Sequence, residues 1–253
     1  MTTIGVIYKK EDSLIAGTAQ QVIKELKKMG YKLDLARARF VLTFGGDGTI
    51  LRAARILAKS KTPILGVHLG GLGFLSEIEL HELSDALERI KKGKFIIDER
   101  AMLEAMLGGR KLIALNDIVI SNSGIARVIK LEVKGVAEYT SDGIIFSTAT
   151  GSTAYNLSAG GPLLTPDSQS MVISAISPHS ISTRPLVLEK PVTAVLIRGK
   201  EAILTADGQH LVPLHETQKI RIYKSKFKTR FIRLKEYNFF ERVKNVFGFG
   251  PRT

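Results

Sequence analysis

The chain has 253 residues, of which 44% are hydrophobic and 24% charged, and it carries a formal net charge of +13 without any cysteine. This composition is typical of a folded protein with one large or two modest domains, and it excludes an intrinsically disordered chain. The absence of cysteine excludes disulfide bonds and thiolate metal sites, and the five histidines show no metal-ligand spacing.

The N-terminal residues MTTIGVIYKK predict a β-strand and lack the layout of a secretory signal, which favours a cytoplasmic location. The uncharged run from Gly143 to Pro166 is too rich in Ser, Thr and Gly to span a membrane. Basic residues are spread over amphipathic segments and concentrated in RIYKSKFKTRFIRLK, without a nucleic-acid motif around them. We therefore expect solvated basic faces that attract phosphorylated small molecules, and neither nucleic acid nor a membrane as partner.

Apolar strands alternate with helical stretches before about residue 95. The predicted elements are the strand TIGVIY, a helix from Ser13 to Met29, the strand RFVLTF, a helix from Thr49 to Ala58, the strand PILGVHLG and a helix from Leu83 to Lys91. This alternation predicts an α/β domain over residues 1–95, in which helices cover a parallel sheet.

Short β-rich runs with turn residues between them follow over residues 96–230. They are MLEAML, LIALNDIVIS, RVIKLEVKG, GIIFST, MVISAIS, AVLIRG and AILTAD. Successive short strands of this kind predict a second, mostly antiparallel β domain. The tail RLKEYNFFERVKNVFGFGPRT mixes aromatic and charged residues and fits neither pattern.

The stretch RFVLTFGGDGTILRAAR places three glycines, Gly45, Gly46 and Gly48, where a strand turns into a helix. Backbone N–H groups and a positive helix end at such a turn predict a phosphate-binding loop. It has neither the GxGxxG pattern nor the Lys-Ser/Thr of a P-loop. The alternative is an ordinary tight turn in which Thr49 or Asp47 caps the helix.

Asp47 conflicts with a simple anion site, because two unit charges about 4 Å apart interact by roughly 4 kcal/mol at an effective dielectric of about 20. A metal ion, a proton or a substrate hydroxyl that is about to lose its proton would offset this repulsion. All three belong to phosphoryl transfer, in which a carboxylate orients the attacking hydroxyl and accepts its proton. The pattern therefore indicates that Asp47 acts as a base.

The segment from Tyr139 to Pro166 is dense in glycines and small hydroxyl residues, with one carboxylate, Asp142, and with Tyr155 as the aromatic residue of its Ser/Thr-rich part. Such a segment suits a polyhydroxylated, phosphorylated ligand that is bound through many short hydrogen bonds. A Ser/Thr-rich turn followed by a short capped helix is an equally good interpretation of the composition.

Five segments occur in an order that resembles the NAD kinase family. They are FGGDGTILRAAR, GVHLGGLGFLSE, LNDIVIS, DGIIFSTATGSTAYNLSAGGPLLTP and DGQ. The GGDG element alone is similar to one in diacylglycerol and sphingosine kinases and in phosphofructokinases, whereas the run TGSTAYNLSAGGP is specific. The resemblance implies ATP-dependent phosphorylation of the adenosine ribose 2′-hydroxyl of NAD, with polyphosphate as a possible donor. It also implies a phosphofructokinase- or diacylglycerol-kinase-like first domain, a second domain that binds NAD, a tail (231–253) that returns to the first domain, and a homodimer or homotetramer.

The family's functional residues carry over to matching positions of this sequence. Asp47 would accept the proton, Gly45, Gly46 and Gly48 would shape the phosphate loop, and Mg²⁺ would be held by the ATP phosphates without direct protein ligands. Asp142 would bind the nicotinamide end, and Tyr155 would lie near the adenosine. The implied NAD-contacting residues are Asp47, Gly48, Arg52, Phe74, Asn116, Asp117, Arg127, Asp142, Thr153, Ala154, Tyr155, Asn156, Leu157, Ser158 and Gln209.

Several of these positions have simpler interpretations. Arg52 and Arg127 suit solvent-facing residues, Asn116-Asp117 suits the start of a turn, and Gln209 suits a strand after a hairpin. His68 and Gly71 depart from the family, which usually has Asn and a larger residue there. Two other functions remain open, a lipid or sugar kinase with the same GGDG loop and a non-catalytic NAD-binding regulator.

Overall fold

The computed structural model of the chain describes residues 2–71, 73–124, 128–199 and 202–248. The chain divides into two compact units. Unit 1 is formed from the ranges Met1–Glu99 and Thr229–Thr253, and unit 2 from Arg100–Lys228.

Unit 1 contains a parallel sheet with the strand order β2-β1-β3-β4. A short strand, β5, and the end of a long strand, β17, also pair with β4 in parallel. The strands are β1 (Thr3–Tyr8), β2 (Lys32–Leu33), β3 (Phe40–Phe44), β4 (Ile64–His68), β5 (Ile78–Glu79) and β17 (Lys219–Arg233). The helices are α1 (Ser13–Lys28), α2 (Asp47–Leu57), α3 (Leu83–Lys91) and α5 (Phe239–Phe247), with a 3₁₀ turn at Leu80–Glu82.

The core of unit 1 follows from its sequence pattern. All five residues of β3 and all five of β4 are buried, as continuous apolar strands in a sheet covered by helices should be. Helices α1 and α3 bury one face each against the sheet, through residues such as Leu26 and Leu87. The Asp12 side chain caps α1 by accepting a hydrogen bond from the Ile15 amide at 3.1 Å.

Unit 2 is built from antiparallel strands. One set has the order β10-β9-β14-β17 with the hairpin β6–β7, and the other has the order β13-β12-β11-β8-β15-β16. The strands of the first set are β6 (Ile96–Leu107), β7 (Arg110–Ala114), β9 (Ile129–Val133), β10 (Ala137–Ser141) and β14 (Val192–Arg198). Those of the second are β8 (Asp117–Asn122), β11 (Gly143–Ser147), β12 (Met171–Ile176), β13 (Leu186–Leu188), β15 (Ala202–Ala206) and β16 (His210–Leu214). A 3₁₀ turn (Thr150–Thr153) and a one-turn helix, α4 (Tyr155–Ser158), follow β11.

Both sheets of unit 2 contribute to one hydrophobic core. Alternate residues of β9 and β14 point into it, for example Leu131 and Ala194, and they meet Ile120, Phe146 and Ile173 of the other sheet. Because side chains alternate across a strand, one face of each sheet points into this core and the two sheets pack face to face.

The predicted fold class is confirmed: the first part is α/β with a parallel sheet, and the second is mostly antiparallel β. Two details of the sequence analysis were wrong. Helix α2 begins at Asp47 rather than Thr49, because Gly46 is its N-cap. The run LIALNDIVIS forms two strands, β7 and β8, since the chain turns at Leu115 and Asn116.

Strand β17 was missed by the sequence analysis, although its signal was present. Basic and apolar residues alternate at its start, where Ile220 and Ile222 are buried while Lys219 and Arg221 are exposed. A strand with one solvated face gives this alternation. No helix in the described part of the chain is long and apolar enough to cross a membrane.

Candidate active site

The glycine loop connects β3 to α2 in unit 1. Gly45 has a φ of +135°, and a Cβ there would lie 2.7 Å from Thr49 Oγ1, so only glycine fits. Gly46 is the N-cap of α2, and within the described residues no side chain makes a capping bond there. The start of this helix therefore presents its positive end beside glycines, as an anion-binding turn does.

The Asp47 carboxylate does not cap its own helix. Its Oδ2 accepts a hydrogen bond from the Phe74 amide at 2.9 Å, and its Oδ1 accepts one from the Leu75 amide at 3.2 Å. A Cβ at Gly73 would lie 2.3 Å from Oδ1, so the carboxylate rests against a position that has to be glycine. Two backbone donors thus fix its orientation, and each oxygen keeps capacity to accept a proton or a hydroxyl hydrogen bond.

Arg52 lies on α2, five residues after Asp47, and Phe74 supplies one of the two amides that bind the Asp47 carboxylate. The Arg52 guanidinium donates to the carbonyl of Tyr8 at the end of β1, so its position is fixed by the sheet. The Phe74 ring packs on that of Phe247 in α5, with 4.9 Å between ring centroids.

A cavity of about 860 Å³ adjoins the glycine loop in unit 1. Its volume is in the range of small-molecule sites. His68 belongs to its wall, is buried, and has its Nδ1 2.9 Å from the Gly70 carbonyl oxygen. The lining residues are Asp12, Leu14, Ile15, Thr18, Gly45, Gly46, His68, Leu69, Gly70, Gly71, Glu79, Leu80 and His81. Both departures from the family pattern, His68 and Gly71, therefore lie on this cavity.

In unit 2, the turn before β8 is fixed by a residue that sequence reasoning did not single out. Asp207 Oδ1 accepts from the amides of Asn116 at 2.7 Å and Asp117 at 3.3 Å, and its Oδ2 accepts from the Leu115 amide at 3.1 Å. Asp207 has a φ of +50° in the β15–β16 turn. The Asp-Gly dipeptide predicted that turn. It did not predict the contact between Asp207 and Asp117, which are 90 residues apart in the sequence.

The same turn is packed from the side of β11. Thr148 Oγ1 donates to the Leu115 carbonyl at 2.6 Å, and a Cβ at Gly151 would lie 2.1 Å from the Asn116 carbonyl oxygen. The Oδ1 atom of Asn116 is buried and has no hydrogen-bond partner among the described residues. A buried acceptor without a partner is costly, which makes this atom a candidate contact for a ligand donor.

Asp117 has an unusual electrostatic environment. Burial raises the pKa of its carboxyl, and the neighbouring Asp207 carboxylate raises it further, to about 7. The Asp117 side chain is therefore protonated in a large fraction of molecules near neutral pH, and in that form it can donate a hydrogen bond.

The TGSTAYNLSAGG segment forms a compact turn around Asn156. This side chain is fully buried: its Nδ2 donates to the carbonyls of Ser152 and Pro162, and its Oδ1 accepts from Ser174 Oγ at 2.8 Å. A Cβ at Gly161 would lie 2.0 Å from that Oδ1. Asn156 therefore acts on any ligand through the turn that it holds.

The neighbours of Asn156 face outward to different degrees. Tyr155 is 46% exposed and Ser158 is exposed, while Thr153, Ala154 and Leu157 are partly buried. Asp142 and Gln209 are exposed at the ends of β11 and β16. Arg127 lies outside the described residues.

Among the described residues, no group of three or more His, Cys, Asp or Glu side chains is arranged to hold a metal ion.

Comparison with known proteins covers both units. The model of the ATP-NAD kinase N-terminal domain matches residues 4–95, and that of the ATP-NAD kinase C-terminal domain matches residues 115–234. Among solved structures, the yeast NADH kinase complexed with NADH superposes with a TM-score of 0.87 at 20% identity, covering 100% of this chain and 89% of that one. The NAD kinase of Archaeoglobus fulgidus in complex with ATP gives a TM-score of 0.78 at 28% identity and 98% coverage of both chains.

Curated relatives agree with these matches. The NAD kinase of Desulforamulus reducens is 38% identical over 250 residues, covering 94% of this chain and 85% of that protein. The NAD kinase of Syntrophotalea carbinolica is 40% identical over 224 residues, covering 84% and 79%. Identity at this level over most of both chains shows that the protein belongs to the ATP-NAD kinase family.

Proposed function

We propose that this chain transfers the terminal phosphoryl group of ATP to the 2′-hydroxyl of the adenosine ribose of NAD, giving NADP and ADP. Family membership and the relatives that are named NAD kinase support this reaction. The Archaeoglobus fulgidus structure in complex with ATP supports the choice of donor.

The observation that carries the mechanism is the anchored Asp47 carboxylate at the start of α2. Two amides fix its orientation at 2.9 and 3.2 Å, so it can meet a hydroxyl in one geometry. As the ribose O2′ forms a bond to the γ-phosphorus, the bond from that phosphorus to the ADP oxygen breaks, and the 2′-hydroxyl proton passes to Asp47. Positioning of the reactants supplies most of the remaining rate enhancement.

The glycine loop and the cavity beside it suit the phosphates of ATP. Gly45, Gly46 and Gly48 let phosphate oxygens approach the backbone at the positive end of α2, and the adjoining cavity of about 860 Å³ can hold a nucleotide. The divalent cation, Mg²⁺, is expected to arrive with the ATP phosphates. It would neutralise phosphate charge.

Positions that match the NAD contacts of the family occur in each unit. In unit 2, Asn116 Oδ1, which has no hydrogen-bond partner in the described part of the chain, suits a ribose or amide donor, and Asp117 suits a hydroxyl or carboxamide. Tyr155 offers an exposed ring for stacking or a hydroxyl for hydrogen bonding. The proposed contacts are Asp47, Gly48, Arg52, Phe74, Asn116, Asp117, Arg127, Asp142, Thr153, Ala154, Tyr155, Leu157, Ser158 and Gln209, with Asn156 holding the turn. A cytoplasmic homodimer or homotetramer is the expected form.

The test is to incubate the protein with NAD and Mg·ATP and to measure NADP with an NADP-specific dehydrogenase. Asp47→Asn should lower kcat by about 10²- to 10⁴-fold, because the amide cannot accept the proton. NAD binding measured by calorimetry should stay within about threefold, a difference below 1 kcal/mol. An Asn variant with undiminished kcat would remove the proposed role of Asp47.

One control variant and two alternative outcomes distinguish the proposed function from the others. Lys244→Gln, a change at an exposed position of α5, should leave NADP formation unchanged. NAD binding without any NADP formation by the unaltered protein would favour a non-catalytic regulator, and phosphorylation of a lipid or sugar instead of NAD would favour the wider kinase group.

A further inference from the structure

The segment Gly73–Ser76 is held on both sides by hydrogen bonds. Its amides at Phe74 and Leu75 donate to the Asp47 carboxylate. Its four carbonyl groups accept hydrogen bonds from three side chains of the C-terminal segment. Arg242 donates to the carbonyls of Gly73 and Ser76, both at 3.1 Å, Tyr237 Oη to that of Phe74 at 3.4 Å, and Arg233 to that of Leu75 at 3.2 Å.

The two peptide groups that orient Asp47 are each bonded at both ends. The Gly73–Phe74 peptide accepts from Arg242 and donates to Asp47 Oδ2, and the Phe74–Leu75 peptide accepts from Tyr237 and donates to Oδ1. Hydrogen bonds in such chains polarise one another, so a donor on the carbonyl strengthens the N–H on the other side. Arg242 thus reaches the carboxylate through a single peptide group.

Arg233 also holds this region in place. It is 1% exposed, and its guanidinium lies 3.0 Å from both Glu77 Oε2 and Asp98 Oδ2. The Tyr237 ring stands 4.6 Å from the Arg233 guanidinium carbon and 5.8 Å from that of Arg242. Loss of one partner from a buried ion pair is strongly destabilising, so Arg233 is needed for folding and is unsuitable as a probe of positioning.

Arg242 is a better probe because its helix adds little to the core. Only Val243 is buried in α5, while Phe240 is 71% exposed. The Arg242 guanidinium donates to two carbonyls that are three residues apart, and this fork of hydrogen bonds fixes the shape of the segment. A single ammonium group cannot make the same pair of bonds. Tyr237 and Arg242 also lie beyond residue 234, where the match to the family models ends.

We propose that Arg242 and Tyr237 are positioning residues for Asp47, because they hold the two peptide groups whose N–H groups orient its carboxylate. The inference rests on the proposed function, which gives Asp47 the role of proton acceptor. The C-terminal helix thereby contributes to phosphoryl transfer through a segment 169 residues earlier in the chain.

The experiment compares Arg242→Gln, Arg242→Lys and Tyr237→Phe with the control Lys244→Gln, which removes the same charge from an exposed position of the same helix. Arg242→Gln should lower kcat by about 10- to 100-fold with KM for NAD and ATP within about twofold, since misplacement of a catalytic group slows the chemical step. Arg242→Lys should recover part of the loss, and Tyr237→Phe should cost about threefold.

A readout that does not depend on activity is hydrogen exchange at the Phe74 and Leu75 amides, followed by NMR. Exchange should speed up by about tenfold in Arg242→Gln and stay unchanged in Lys244→Gln. The inference is overturned if exchange in Arg242→Gln matches the unaltered protein. It is also overturned if kcat is retained, or if kcat and both KM values change together with a lowered Tm.

The outcomes for the two proposals are distinct. If the unaltered protein forms no NADP, the proposed function fails, and the exchange measurement still decides whether Arg242 holds the segment. If the unaltered protein forms NADP and Arg242→Gln does so at the same kcat, only the positioning role fails.

Discussion

In each unit, a carboxylate accepts hydrogen bonds from backbone amides that are distant in the sequence. The consequence of these bonds differs between the two units. In unit 1, the amides of Phe74 and Leu75 bind Asp47 itself and fix the carboxylate assigned to the chemistry. In unit 2, three amides bind Asp207, which fixes the turn and leaves Asp117 buried beside a negative charge. The same local interaction therefore orients the proposed proton acceptor in one case and raises the pKa of a neighbouring carboxyl in the other.

Among the changes that test this comparison of the two units, Gly73→Ala in unit 1 should have the largest effect. The new Cβ would lie 2.3 Å from Asp47 Oδ1, so the carboxylate has to move away from its amide donors. A displacement of about 1 Å lowers kcat by about 10²-fold. Steady-state NADP formation measures the loss.

The matched control is Gly17→Ala on the exposed side of α1, where an added Cβ meets no atom of the described residues within 4 Å. It should retain kcat. If Gly73→Ala also retains kcat, the orientation of Asp47 by this segment does not limit the reaction.

The second-largest effect is expected at the Asp117–Asp207 pair. It concerns the pH dependence of the free energy of unfolding. The folded protein keeps a proton on Asp117 up to about pH 7, whereas the unfolded chain loses it near the ordinary pKa of 3.8. The folded state therefore binds more protons between these values, and its stability falls as the pH rises through this window.

Asp117→Asn removes this titration. Between pH 5 and pH 8 the unaltered protein should lose about 2 to 3 kcal/mol of unfolding free energy that the variant keeps, as measured by urea denaturation. Asp142→Asn, at an exposed carboxylate of the same unit, should follow the unaltered protein. Parallel pH profiles for Asp117→Asn and the unaltered protein would contradict the raised pKa of Asp117.

The smallest effect is expected from Ser174→Ala, which tests whether the turn around Asn156 is held from inside the sheet. Ser174 is fully buried, and its hydroxyl donates to Asn156 Oδ1 at 2.8 Å. Loss of this donor should lower the unfolding free energy by about 1 to 2 kcal/mol and raise KM for NAD by about threefold. Ser180→Ala, at an exposed loop position, is the control, and equal effects in both variants would remove the role of Ser174.

Local patterns predicted the fold better than they predicted the site. The helix from Leu83 to Lys91 was predicted with its observed bounds, and β1 likewise, because hydrophobic periodicity depends on neighbours in sequence. Strand β17 was missed since its basic residues were interpreted by charge rather than by their alternation with buried positions. Asp207 was taken for a turn residue only, because nothing local indicates that its carboxylate binds the amides near Asn116.

The sequence by itself determined the α/β and β-rich halves, the glycine loop with an aspartate at the start of a helix, and the TGSTAYN run through which the chain resembles the NAD kinase family. These features depend on side-chain periodicity, backbone preferences and residue identity, all of which are local. Only the tertiary structure decided what surrounds the two carboxylates. Asp47 meets the Phe74 amide, 27 residues away, and the peptide group of that amide is held in turn by Arg242, 169 residues from Gly73. Such contacts arise when the sheet brings distant segments together, and no short-range pattern encodes them.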